Sequence, residues 1–277
     1  MKTLLHIGAP KTATTFLQEA YYPYHPELAY IPHVTEWNRW LFCLNKPEPR
    51  ALATCEEGII GQPQWRKSML KNLSELIKDP IVLITTRAPT PGLLASIYSQ
   101  SIRGGEQRSF NRFFEDQLDV WKEIYNFDDL YRESCSIFGS ERVFLLPYEL
   151  LRDNQDRFLR ELETIVGISS FDPVMKTAVN QKMTEAQILF YRKFGSIVSL
   201  IASFRGNSEL PLYAKNIYLS HSRKIGFITD KVGSLLRFVM RQEPGDADRF
   251  LPEFSCYSPV METISYYKDY LKIYKKQ

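Results

Sequence analysis

The sequence predicts an α/β fold of three layers, a central and mostly parallel sheet with helices on both faces. Short apolar runs bounded by turn or polar residues recur at Thr3–Gly8, Leu52–Cys55, Pro80–Thr86 and Arg142–Leu146. Strands buried on both faces of a parallel sheet have this form. Segments of helical period alternate with them, the order expected of βαβ units. The length of 277 residues and an ordinary composition, 44% apolar and 24% charged, suit one large domain.

The elements follow in order. After the first strand a helix starts near Thr15, where Thr15 and Gln18 have the spacing of a capping box. Helical period covers Trp65–Lys78 and Leu93–Ile102. It returns from Phe110 to about Cys135, where Phe113, Phe114, Leu118, Trp121, Ile124 and Tyr125 share one face. Glu149–Val166 repeats the pattern with Leu150, Leu151, Phe158, Leu159, Leu162 and Ile165. Beyond Gly167 the strand pattern fades. Thr184–Phe204 reads as helix and Ile217–Arg241 as a basic amphipathic stretch. Residues 1–167 thus form an α/β core and residues 168–277 a helical extension packed on it, within a single domain spanning 1–277.

Charge and cysteine usage narrow the function classes. Thirty-five basic and 32 acidic side chains leave a net charge of +3, too weak a field to argue for a polyanion, and no nucleic-acid partner is expected. Cys43, Cys55, Cys135 and Cys256 lie far apart with no C-x-x-C pair, which fits a reducing compartment better than a disulfide framework. The apolar stretch Leu4–Ile7 is too short for a signal-peptide core, and no run is long enough to cross a bilayer. A cytoplasmic chain is expected. The four histidines form no H-x-x-x-H or H-E-x-x-H pattern and no acidic cluster has metal-binding spacing, so no metal is expected.

The segment LLHIGAPKTATTFLQ carries the most chemistry. Gly8, Ala9 and Pro10 turn the chain at the carboxyl end of the first strand. Lys11, Thr12, Ala13, Thr14 and Thr15 then offer one cation among small residues and hydroxyls. With no acid in the first helical turn, the unpaired N–H groups and positive dipole end are available to an external anion. The alternative is an ordinary strand–turn–helix with a solvated lysine. A triphosphatase loop would need G-x-x-x-x-G-K-[ST], and Gly-Lys-Ser/Thr occurs nowhere in the chain.

The order Pro10-Lys11-Thr12-Ala13-Thr14-Thr15-Phe16 resembles the 5′-phosphosulfate loop of sulfotransferases that use 3′-phosphoadenosine 5′-phosphosulfate (PAPS). The resemblance covers residues 1–167 well and the rest poorly, and it implies a fold akin to P-loop nucleotide kinases. It implies that Lys11 stabilises the bridging oxygen and that the loop, Thr12 to Phe16, holds the 5′ end of the donor. Arg87, just past the Pro80–Thr86 strand, resembles the family's 3′-phosphate arginine, with Ser96 as its serine. The spacing departs from the pattern: eight residues beyond Arg87 lies Ala95, and Ser96 is the ninth. Ser99 is a further hydroxyl of that helix. Pro147-Tyr148-Glu149 looks like the family's strand-then-Tyr-Glu segment, which would set Tyr148 beside the adenine; a core tyrosine is the alternative. Val179-Asn180-Gln181-Lys182-Met183 is similar to a segment of bacterial members, with no chemistry attached.

Transfer to a hydroxyl needs a base. Cys55-Glu56-Glu57-Gly58 lies at the end of the strand in the second βα unit, and related sugar sulfotransferases carry a glutamate base after this strand. Glu57 is the first choice and Glu56 the second, with His33 and His25 in reserve. Tyr21, Tyr22, Tyr24, Tyr30, Trp37 and Trp40 could line an acceptor pocket for a sugar or phenol, or could be core. Arg223, Lys224, Lys231, Arg237 and Arg241 could meet an anionic glycan or a membrane surface, or could form a solvated helix face. The expected activity is sulfuryl transfer from PAPS to a hydroxyl, of a carbohydrate or glycolipid in the first instance. A magnesium-dependent nucleotide kinase and a non-catalytic nucleotide-binding protein of the same fold are the alternatives.

Overall fold

Among the described residues, five parallel strands form one sheet with β1 (Lys2–Gly8) at its centre. The computed structural model describes residues 1–32, 49–173, 184, 186–193 and 246–254. The other strands are β2 (Leu28–Ile31), β3 (Ala51–Cys55), β4 (Ile81–Thr86) and β5 (Val143–Pro147), and the order across the sheet is β2-β3-β1-β4-β5. Leu4, Leu5 and Ile7 of β1 and Val82, Leu83 and Ile84 of β4 are fully buried. Consecutive residues point to opposite faces, so burial of both parities means helices cover the sheet on both sides. Four strands match the sequence reading within a residue or two. The fifth, β2, is four residues long and followed directly by Pro32, so its alternation is too brief to stand out.

The helices are set by their caps. Helix α1 covers Thr14–Phe16 and continues as a single π turn, Leu17–Tyr21, closed by the Tyr22 N–H donating to the Leu17 carbonyl at 2.8 Å. Helices α2 (Pro63–Leu76) and α3 (Pro91–Arg103) each open on proline, whose missing N–H costs nothing in the first turn. The long period beginning at Phe110 is two helices, α4 (Phe110–Ile124) and α5 (Phe127–Phe138). Asn126 breaks it by accepting the Asp129 N–H at 3.1 Å. Asn154 does the same to the next stretch, dividing α6 (Tyr148–Asp153) from α7 (Gln155–Val166), with Gly167 in the left-handed region as its terminator. Both asparagines sit inside an unbroken apolar period, and the cap overrides it.

The core on one face of the sheet joins Leu4, Ala53 and Leu83 to Leu17, Tyr21 and Tyr22 beyond α1, and to Phe158, Leu159 and Leu162 of α7. Glu163 is buried beside them. It accepts from the Tyr21 hydroxyl at 2.9 Å and the Phe171 N–H at 2.8 Å, and pairs with Arg160. A buried carboxylate bonded this way avoids the desolvation cost of an unpaired one.

The chain groups into two compact units. One comprises Met1–Ala88, Asp119–Asn180 and Ser255–Gln277; the other, Pro89–Leu118 and Gln181–Phe254. This division separates α3 from the sheet-bearing residues, whereas the sequence reading divides core from extension at residue 167. In the second unit residues 186–193 form helix α8, opened by a capping box. The Thr184 hydroxyl accepts the Gln187 N–H at 3.1 Å, and the Gln187 side chain accepts the Thr184 N–H at 3.1 Å. Helix α9 is Ala247–Phe254, and its Phe250 packs on Phe110 and Phe114. The remainder of Thr184–Phe204, the basic stretch Ile217–Arg241 and segment 179–183 lie outside the described residues.

Candidate functional site

The loop after β1 is shaped by backbone that side chains ordinarily avoid. Lys11 has φ 67° and Ala13 φ 79°, both left-handed, and Thr12 between them does not. Left-handed residues in a turn can aim neighbouring N–H groups into a concavity suited to an anion, while the Thr12 N–H itself is taken by the Ala9 carbonyl. Holding two non-glycine residues there costs on the order of 1–2 kcal/mol each, so the surroundings must enforce it. Helix α1 then begins at Thr14 with no side-chain cap and no acid in its first turn. Its open N–H groups and dipole reinforce the concavity.

The enforcing contacts come from four directions. Gly8 has no room for a side chain, since a Cβ there would stand 2.1 Å from Thr14 Cγ2 and 2.6 Å from Thr85 Oγ1. Thr12 is fully buried, and its N–H and hydroxyl both donate to the Ala9 carbonyl, at 3.3 and 2.7 Å. The Tyr125 hydroxyl donates to the Pro10 carbonyl. Arg87, just past β4, donates from Nη1 to the Lys11 carbonyl at 2.7 Å and lies over the Tyr148 ring, 4.3 Å from its centroid. Next to it, buried Glu149 accepts the Ala88 N–H at 2.9 Å and fixes the chain leaving β4.

Lys11, Arg87 and Tyr148, far apart in sequence, therefore meet at the carboxyl ends of β1, β4 and β5. Connections from β1 run toward β2 and those from β4 toward β5, so this is a topological switch point, where open parallel sheets bind ligands. Arg87 is buried and stacked, and among the described residues it pairs with no carboxylate. Thr12 anchors the loop from beneath, with both its donors engaged inside the protein. Thr15 and Phe16 are half-buried, and Phe16 packs against the core behind the loop. Ser96 and Ser99 are buried residues of α3, in the second unit.

The two glutamates follow β3, the strand beside β1. The Glu56 N–H donates to the His6 carbonyl at 2.9 Å and extends the ladder by one residue. Glu57 opens a short 3₁₀ turn, Glu57–Ile59, and its Oε1 accepts from Gln18 Nε2 at 3.2 Å. Thr15 lies within α1, so Gln18 closes no capping box and instead reaches across to Glu57. This contact sets Glu57 against the helix that follows the Lys11 loop.

Of the reserve bases, His25 is fully buried. Its Nδ1 accepts the Glu27 N–H at 3.1 Å and its Nε2 faces the Ser169 carbonyl at 3.2 Å, so its ring serves the backbone. His33, Trp37 and Trp40 lie outside the described residues. Tyr21 and Tyr22 are core, while Tyr24 is exposed. Among the described residues no group of three or more His, Cys, Asp or Glu side chains could hold a metal, and no helix is long and apolar enough to cross a membrane.

The sequence reading gives no part in the site to Thr85, Tyr125, Gln18 or His6. His6 is fully buried in β1. Its Nε2 lies 3.1 Å from Thr85 Oγ1 and its Nδ1 3.2 Å from Cys55 Sγ, and burial pushes its pKa down to about 3. A polar residue inside an apolar strand is the signal that marks it.

No family model and no curated protein matches the sequence. Among solved structures, the chain is similar to a sulfotransferase from Alicyclobacillus acidocaldarius, with a TM-score of 0.53 and 15% identity over 74% of this chain and 95% of that one. A sulfotransferase domain from the curacin biosynthetic pathway aligns at a TM-score of 0.45 and 12% identity, over 92% and 98%. A mouse sulfotransferase complexed with PAP aligns at 0.43 and 14%, over 62% and 60%. The first of these likenesses shows that the chain has a sulfotransferase fold.

Proposed function

We propose that this chain is a PAPS-dependent sulfotransferase, and that the loop from Pro10 to Thr15 grips the 5′ end of the donor. The observation that carries the reading is the pair of left-handed residues at Lys11 and Ala13, within the one segment whose residue order resembles the family's phosphosulfate loop. Such strain persists where function rewards it. The donor supplies an activated sulfuryl group; the protein's part is to position it and to stabilise charge.

The N–H groups of Ala13, Thr14 and Thr15 bind the 5′-phosphate oxygens, and Lys11 Nζ meets the bridging oxygen as negative charge grows on it. Arg87 offers the 3′-phosphate the N–H groups it does not give to the Lys11 carbonyl, since a guanidinium has five. Tyr148, stacked on Arg87, borders the adenine. Ser96 joins the 3′-phosphate contacts on the strength of sequence alone. Glu57, steadied by Gln18, takes the proton of the acceptor hydroxyl as its oxygen bonds to sulfur and the bond from sulfur to the bridging oxygen breaks. Glu56 is the second choice for that proton. The acceptor is a carbohydrate or glycolipid hydroxyl, and a cytoplasmic setting suits the reduced thiols of Cys55 and Cys135.

Thermal unfolding tests the reading. PAP at a hundredfold excess over its dissociation constant should stabilise the protein by about 2.7 kcal/mol, with no magnesium added. ATP should do less. A kinase would respond to ATP with magnesium, and no response to millimolar PAP would overturn the assignment.

A further inference from the structure

Five groups buried on one face of the sheet form a chain of hydrogen bonds whose direction is fixed. A carbonyl can only accept, so the Thr12 hydroxyl proton lies on the Ala9 carbonyl at 2.7 Å. Thr12 Oγ1 and Thr85 Oγ1 are 2.8 Å apart, and Thr12 has no second proton, so Thr85 donates to Thr12. The proton of Thr85 is then engaged, and its 3.1 Å contact with His6 must be donated by His6 Nε2–H. That leaves Nδ1 bare, and the Cys55 thiol donates to it at 3.2 Å. Gln18, which holds Glu57, also bonds Cys55. His6, Thr85 and Thr12 are each less than a tenth exposed, and Tyr22 covers His6 edge-on at 5.8 Å.

We infer that His6 is a positioning residue: as the neutral Nε2–H tautomer it orders a one-way relay from Cys55 through Thr85 to Thr12, holding the anion loop in its left-handed form. Every link restrains a different element. Cys55 ends β3, His6 lies in β1, Thr85 in β4, and Thr12 stands between the two left-handed residues. Without the His6 donor, Thr85 is free to turn its own proton elsewhere, and Thr12 loses the partner that orients it. The loop then relaxes toward ordinary backbone and its N–H groups diverge. The inference rests on the proposed reading only in taking the loop as the donor's site.

Three measurements test it. In ligand-free protein with labelled histidine, the nitrogen spectrum of His6, assigned by its absence in His6→Gln, should show a proton on Nε2 and none on Nδ1. A proton on Nδ1 would overturn the relay. His6→Met should speed amide exchange at Thr12 and Ala13 at least tenfold, about the effect of losing one buried hydrogen bond, with β5 unchanged. The same variant should weaken PAP binding about tenfold, or 1.4 kcal/mol. Thr85→Val, which keeps the volume and removes the link, should reproduce both effects. His6→Gln, whose amide can donate where Nε2 does, should recover binding to within about threefold. Melting points lowered alike in all three variants, with unchanged loop exchange and PAP affinity, would reduce His6 to packing. If the wild type binds no PAP, the functional reading fails while the spectrum and the exchange rates still decide the relay.

Discussion

The loop after β1 and the turn after β3 emerge side by side from neighbouring parallel strands, yet they are built differently. The loop is held by Arg87 on the Lys11 carbonyl, Tyr125 on the Pro10 carbonyl, Thr12 folded onto Ala9, and Gly8 with no space for a methyl group. The turn that carries Glu57 receives the side chain of Gln18 at 3.2 Å and opens a 3₁₀ turn of three residues. A donor shared by many reactions presents constant chemistry and repays a rigid cradle. An acceptor-side base must follow a substrate whose shape varies, and a lighter hold suits it. On the proposed reading, rigidity in this site would track the constancy of what is bound.

Removing one charge from each side should have the largest effects. Lys11→Ala should lower turnover by roughly 10²–10³, the usual effect of deleting a group that stabilises developing negative charge, and weaken PAP binding far less. Glu57→Gln should lower turnover by about 10² or more with PAP affinity unchanged. Initial rates beside PAP titrations read both. Equal losses of rate and affinity in Lys11→Ala would remove its part in the chemistry, and full activity in Glu57→Gln would transfer the proton to Glu56.

Crowding beneath the loop is the next target. Gly8→Ala forces a methyl group against Thr14 and Thr85, and overpacking of this kind costs about 1–3 kcal/mol. Denaturant unfolding should register that loss and calorimetric titration a weaker grip on PAP. A stability loss with intact affinity would separate the loop's shape from its packing.

The pH dependence of stability sharpens the account of what lies below. His6 is neutral in the folded protein, with its pKa lowered to about 3 by burial, whereas in the unfolded chain it titrates near 6.5. The unfolded state therefore takes up the proton first. Stability is complete above pH 6.5 and declines by about 1.4 kcal/mol per pH unit as the pH falls toward 3. The groups facing the ring are Cys55, Thr85 and Tyr22, and burial holds both the thiol and the phenol in their protonated forms. His6→Gln should flatten the wild-type slope between pH 6 and 4 by this amount, and parallel curves would contradict the burial of a neutral ring.

Smallest in expected effect is Ala13→Gly. Ala13 sits at φ 79°, where a Cβ is unfavourable. Relieving it should raise stability by about 1 kcal/mol, seen as a higher denaturation midpoint. A decrease would mean that the loop holds its form without strain at this residue.

What could be read in advance follows how local each signal is. The Lys11 loop was legible because strand, turn, cation and helix start are contiguous over fifteen residues. Arg87 was legible because it follows a clear strand, though its stacking on Tyr148 was not. Strand β2 was hidden by its four-residue length. The breaks at Asn126 and Asn154 were hidden by the apolar period that runs through both. Gln18 was misread because its spacing from Thr15 fits a local cap, while its partner Glu57 lies 39 residues on. His6 illustrates the limit best: its partners are 49 and 79 residues away, and only the parallel register of β3, β1 and β4 brings them together. Periodicity reports which face a residue occupies, and says nothing of who meets it there.

A crystal structure with PAP bound would locate the nucleotide against the loop itself. The 5′-phosphate should sit on the N–H groups of Ala13, Thr14 and Thr15 at roughly 3 Å, with Lys11 Nζ at the oxygen that would bridge to sulfur. A nucleotide bound elsewhere, with the loop in contact with none of it, would contradict the account.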